Sequence, residues 1–156
     1  MHSTDHSGIE YPLLGEPPVV EFINTLYTHP SGTFDFLETI DLARGWFVAL
    51  EPSLLFDVKR LDEDARRHLV KLRSAIRALT DGSDLTQAGA ALAVLEAAAN
   101  AVPGRIELST DNVGLVSINT VWDLAEPAAV AACLARSAID VLARRADGPI
   151  RVCDRP

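Results

Sequence analysis

The side chains in this sequence that could carry chemistry are two cysteines, four histidines and a basic run in the middle of the chain. A structural zinc site takes four ligands, usually paired within a few residues. Cys153, in the closing Arg151-Val152-Cys153-Asp154-Arg155-Pro156, has only Cys133 far upstream to join it, so the sequence alone builds no such site. Two distant cysteines also lack the dense framework of small secreted domains, which points to free thiols. Of His2, His6, His29 and His68, only the loose His2/His6 pair approaches metal-ligand spacing. His68 falls beside the apolar stripe of a long helix, where a general base would need a positioned partner, and none can be named. There is no Walker loop, nucleophile elbow, dinucleotide fingerprint or metalloprotease helix. The reading therefore assigns no catalytic residue, no metal ligand and no cofactor.

Binding chemistry has better candidates. Lys59, Arg60, Arg66, Arg67, Lys71, Arg73 and Arg77 are half of the fourteen basic residues, and Arg66, Arg73 and Arg77 share one helical face. Such a run is either a solvated face, or one that pairs with acidic residues elsewhere, or an anion contact. Trp46 and Trp122 suit core anchors or the apolar walls of a small-molecule pocket. Asn24-Thr25 places two indifferent helix formers late in a helix, as a buried hydrogen-bonding pair that sets the next loop or as ligand contacts. The candidate ligand set is Asn24, Trp46, Arg73, Arg77 and Trp122, in a pocket between the first helix, the long basic helix and a hairpin.

The elements that must position these residues follow from periodicity. Pro17-Pro18 precedes Val19, Val20, Phe22, Ile23 and Leu26 at helical spacing, with proline tolerated in the first turn. Phe34, Leu37, Leu42, Trp46, Phe47 and Leu50 suggest two short helices, the second weakened by Gly45. Asp62-Glu63-Asp64 opens the clearest element, in which Ala65, Leu69, Leu72, Ile76 and Leu79 alternate by four and three up to Asp81-Gly82. Another helix runs from about Leu85 to Ala101, with Leu85, Leu92, Leu95 and Val102 on one face among alanines. Ile106 and Leu108, then Val116, Ile118 and Thr120, alternate around Asp111-Asn112-Val113-Gly114, a hairpin signal. A last helix starts between Asp123 and Pro127, carries Val130, Leu134, Ala138, Val141 and Leu142, and stops at Asp147-Gly148-Pro149. The fold class is mainly α: one domain of five or six helices with a small antiparallel β-hairpin, after a flexible segment over 1–15.

Composition agrees with a folded domain. The chain has 156 residues, 48% of them hydrophobic and 23% charged, close to ordinary globular usage. No apolar run approaches the ~18 residues of a membrane span, and the N-terminus lacks the regions of a secretory signal, so a cytoplasmic protein is expected. The net charge is −8. Up to Asp57 there are nine acidic residues and one basic residue, Arg44, whereas the remainder carries thirteen of each sign. Since basic residues supply much of the affinity for phosphates, DNA binding by this chain alone is not expected.

Phe22-Ile23-Asn24-Thr25-Leu26, Asp41-Leu42-Ala43-Arg44 before Trp46, Leu72-Arg73-Ser74-Ala75-Ile76-Arg77 and the closing Ile150-Arg151-Val152-Cys153-Asp154 together resemble the CGNR zinc-finger proteins. These are bacterial proteins whose N-terminal part, the ABATE domain, is described as a candidate stress-induced transcription regulator. The resemblance runs from about Val19 to Cys153. It implies a helical ABATE-type domain over 16–148 and, at 149–156, the start of a truncated or lost finger. In the family that finger is taken to bind zinc and DNA. Cys153 matches its first cysteine, but the second cysteine, the later pair and the basic Cys-Gly-Asn-Arg tail have no counterpart here. The resemblance therefore implies a non-enzymatic regulatory domain sensing a small molecule, such as a metabolite or natural product, or a protein partner. The rivals are a dimerisation module built on the alanine-rich helix, with no ligand, and a small enzyme.

Overall fold

The computed structural model describes residues 2–4, 10–50, 57–82, 85–103, 105–110, 116–121 and 126–144. In chain order these form β1 (His2–Thr4), β2 (Glu10–Pro12), α1 (Pro18–Ile23), β3 (Leu26–His29), β4 (Gly32–Asp35) and α2 (Ile40–Leu50). A 3-10 turn (Val58–Arg60) follows, then α3 (Glu63–Thr80), α4 (Leu85–Asn100), β5 (Arg105–Thr110), β6 (Val116–Val121) and α5 (Pro127–Ala143). The fold is mainly helical, and the strands among the described residues form antiparallel two-stranded ladders, β1–β2, β3–β4 and β5–β6.

Helix α3 is the axis of the domain, and its limits were written in the sequence. The Asp62 carboxylate accepts a hydrogen bond from the Ala65 amide at 2.8 Å, and Glu63 and Asp64 add negative charge to the first turn. At the other end Gly82 adopts φ +78° after Asp81, a conformation that glycine takes without strain and that stops the helix. Leu69, Leu72 and Ile76 are buried along α3. Against it pack α4, α5, α1 and α2, and α4 in turn packs on α5. The joint core includes Phe22, Leu37, Trp46, Phe47, Leu95, Val130 and Leu134.

Several boundaries differ from the periodicity reading. Helix α1 ends at Ile23, before Leu26: Asn24 caps it, and the Thr25 amide turns back to the Phe22 carbonyl at 3.2 Å, which releases the chain into β3. Phe34 is in β4, not in a helix, and pairs with Tyr27, their rings stacked 5.3 Å apart. The two short helices expected over 34–50 are one, α2, which begins at Ile40 and runs through Gly45 because that glycine is buried against its neighbours. Within the 1–15 segment, β1 pairs with β2, and Tyr11 is wholly buried against Phe36, its ring 5.0 Å away. On α4 the buried face is Ala91, Leu95 and Ala99, a strict four-residue spacing, while Leu92 is 54% exposed. Alanines at 91 and 99 thus flank Leu95 on the side of α4 that meets the core.

The hairpin expected between Arg105 and Trp122 is present as β5–β6, in register from Arg105↔Val121 to Thr110↔Val116. Trp122, the turn at Asp111–Gly114 and Cys153 lie outside the described residues.

Candidate functional site

The basic face of α3 is turned toward the acidic first third of the chain. Arg73 is 2% exposed and grips Asp35 with both arms of its guanidinium, Nη1 to Oδ1 at 2.6 Å and Nη2 to Oδ2 at 2.8 Å. Its Nη1 also donates to the Thr25 hydroxyl at 2.8 Å, which itself donates to the Phe22 carbonyl at 2.8 Å. Arg77 donates to the carbonyls of Ile23 (3.0 Å) and Leu26 (2.7 Å). Arg66 donates to the Leu37 carbonyl at 2.6 Å and holds Glu63 on its own helix. Spacings of seven and four residues thus put three guanidinium groups in a row that staples the chain from Ile23 to Leu37 onto α3. Thr25 completes the staple from the other side, since its carbonyl accepts the Phe36 amide at 2.9 Å.

Asp35 is the acid that Arg73 holds, and its carboxyl titrates below the ordinary aspartate value of 3.8. Burial pushes it up, but the hydrogen bonds from Arg73 and the Leu37 amide, with the charges of Arg73 and Arg66, outweigh that cost. A depressed folded value means that the ionised form favours folding. Its contribution is complete above the unfolded value near 4 and fades as pH falls through the lower folded value. Urea unfolding of the parent and Asp35→Asn at pH 7 and pH 3 should therefore show a stability gap that narrows at the acid end.

Among the residues singled out in the sequence, Arg73, Arg77 and Thr25 come together in this row, and Asn24 stands half-buried beside it as the cap of α1. Trp46 is 2% exposed and lies within the core, its ring 6.2 Å from Phe22 and 4.9 Å from Phe47. Sequence reasoning missed Asp35, the partner of Arg73, and Glu21, a buried carboxylate that accepts the amides of Leu14 (2.7 Å) and Glu16 (2.9 Å) at the entry to α1. The acidic excess of the first third was the available signal for both.

An open cavity lies on a different face of α3. About 580 Å³ in volume, it is bounded by α3, α4 and the start of α5. Ala65 and Leu72 of α3, Val94, Ala97, Ala98 and Ala101 on the α4 side, and Pro127, Ala128 and Ala131 of α5 make its walls. Asp62, His68, Lys71 and Glu126 supply polar groups. Small side chains on three facing helices leave this space where larger ones would close it. The His68 ring is held by Nδ1–H donating to the Asp64 carbonyl at 2.9 Å. A volume of this size with apolar walls and a few polar groups has the form of a small-molecule pocket. A second, wider groove of about 850 Å³ runs between α4 and α5 and is bordered by Leu92, Cys133, Arg136 and Ile139. Burial raises the Cys133 thiol above its ordinary range, which keeps it protonated and slow to react.

Among the described residues no group of three or more His, Cys, Asp or Glu side chains is arranged to hold a metal ion, and no helix is long and apolar enough to cross a membrane. Compared with known proteins, residues 16–145 match the model of the ABATE family, whose description is "Putative stress-induced transcription regulator". No curated protein matches the chain.

Proposed function

We propose that this chain, which belongs to the ABATE family, is a regulatory domain without catalytic activity that senses a small molecule held where α3, α4 and α5 meet. The observation that carries the reading is the 580 Å³ cavity, which is walled by alanine, leucine and valine, with Asp62, His68, Lys71 and Glu126 as its ionisable side chains among the described residues. The family description, of a regulator and not an enzyme, supports the same reading. A ligand there touches three helices of the core at once, so its binding energy bears on how α4 and α5 sit against α3. The net charge of −8 supplies little attraction for duplex phosphates, so the output passes through a partner or an attached segment and not through DNA contacts of this domain. In this reading the arginine row serves as scaffold: Arg73 and Arg77 hold the α1–β4 region in place, Trp46 anchors it, and the ligand uses the other face of α3. A thermal-shift screen against metabolites and natural products tests the proposal, because a ligand that binds only the folded state raises its melting temperature.

A second reading, pairing of two copies through α4 and α5, draws on the exposure of Leu92 (54%) and Ile139 (40%) at the α4–α5 groove. The groove carries both signs of charge, Glu96 on α4 and Arg136 on α5. A sedimentation mass that halves on Leu92→Glu would favour it; a monomer in the parent would discard it.

A further inference from the structure

Charge and apolar surface are separated in the α3–α4–α5 cavity. Asp62, His68, Lys71 and Glu126 are all exposed, so their charges stay in water at the rim. Three of them are also engaged: Asp62 accepts the Ala65 amide at 2.8 Å, Glu126 pairs with Arg60, and the His68 ring donates to the Asp64 carbonyl. Two are acids and two are bases, which gives the rim no single sign. The more sheltered wall is of another kind. Leu72 is buried, and Ala65, Val94, Ala98, Pro127 and Ala131 are half-buried. None of these side chains carries a hydrogen-bond donor or acceptor. At the entry to α5, Pro127 has no N–H and the Ala129 amide is bonded to the Glu126 carbonyl at 2.9 Å. These side chains therefore cannot replace the water that an ion, an amide or a hydroxyl gives up on entry, and each such group is penalised.

We infer that the ligand of this pocket is an uncharged molecule, poor in hydrogen-bonding groups, with a compact hydrocarbon body that lies against Leu72, Val94, Ala98 and Ala131. The inference rests on the sensing proposal above and goes further by naming the ligand class. Selection is by the cost of burying polar groups, and not by a charged contact.

N-phenyl-1-naphthylamine, an uncharged probe whose fluorescence rises in apolar surroundings, reports occupancy and should bind the folded chain saturably at one site. Four competitors on one ring system then vary polarity at nearly constant shape: 2-ethylnaphthalene, 2-naphthaleneacetamide, 2-naphthaleneacetate and 2-(2-naphthyl)ethylammonium. The hydrocarbon should displace the probe at a concentration about tenfold or more below that of the amide or either ion. A site that left the polar end in water would take all four alike. Ala97→Trp, at an exposed position on the cavity wall, should abolish binding of the probe while the circular-dichroism melt stays that of the parent. If the amide or either ion competes as well as the hydrocarbon, the ligand class falls and the pocket stands. If the probe does not saturate, or Ala97→Trp leaves it bound, the pocket reading falls with it.

Discussion

Asp35→Ala is expected to cost about 3 kcal/mol or more of folding stability, measured by urea unfolding at pH 7, because it leaves the Arg73 guanidinium buried without a counter-charge. Arg73 is 2% exposed, and among the described residues Thr25 alone remains as its acceptor. The Leu37 amide loses its acceptor as well. Arg73→Met removes the charge and should rescue much of that loss in the double variant, since a buried ion pair exchanged for apolar groups is often close to neutral. A double variant no better than the sum of the singles would show that the two residues act separately. That result would contradict the staple. The network is expected to be stiff because its acceptors are backbone carbonyls of Ile23, Leu26 and Leu37, which cannot rotate away as side chains do.

The other large effect is in the aromatic core. Trp46→Ala should lower stability by about 3–5 kcal/mol, the range for removing a fully buried large side chain and leaving a partly collapsed cavity. The indole packs between Phe22 of α1 and Phe47 of its own helix, so both neighbours lose contact. Trp46→Phe should cost less and keep the fold. Binding at the α3–α4–α5 cavity should be unaffected in that variant, because Trp46 is not among its walls. Weakened ligand binding in Trp46→Phe, at preserved stability, would instead return Trp46 to the role of a pocket wall.

How much of this could be read from residues alone varies by element, for physical reasons. Helix α3 was legible from end to end because cap, first-turn charge, period and terminal glycine all agree, and each acts locally. The shared face of Arg66, Arg73 and Arg77 was legible too, since helical geometry fixes it. What it faces was not. Two of the three arginines bond carbonyls of a segment more than a helix length away in sequence, and carbonyls leave no mark on residue type. Strands β3 and β4 were missed for a related cause. Four residues each are too few for a period to emerge, and the end of the ladder is tied to α3 through Asp35 and Arg73. The face of α4 was misjudged at Leu92, because leucines were weighted over alanines, whereas the buried face is Ala91, Leu95 and Ala99. The cavity was beyond reach for the same reason. Its walls are alanines drawn from three helices, and an alanine reads alike whether it permits close packing or leaves a space.

The central claim is that a small molecule binds where α3, α4 and α5 meet. Its most direct test is the melting temperature of the parent and of Ala97→Trp, measured side by side with any compound that stabilises the parent in the screen. At a hundred times its dissociation constant such a compound adds about 2.7 kcal/mol to the folded state. The account predicts that this stabilisation appears in the parent and disappears in Ala97→Trp, whose own melting temperature without ligand matches the parent. Equal stabilisation of both proteins would put the binding site elsewhere and contradict the account.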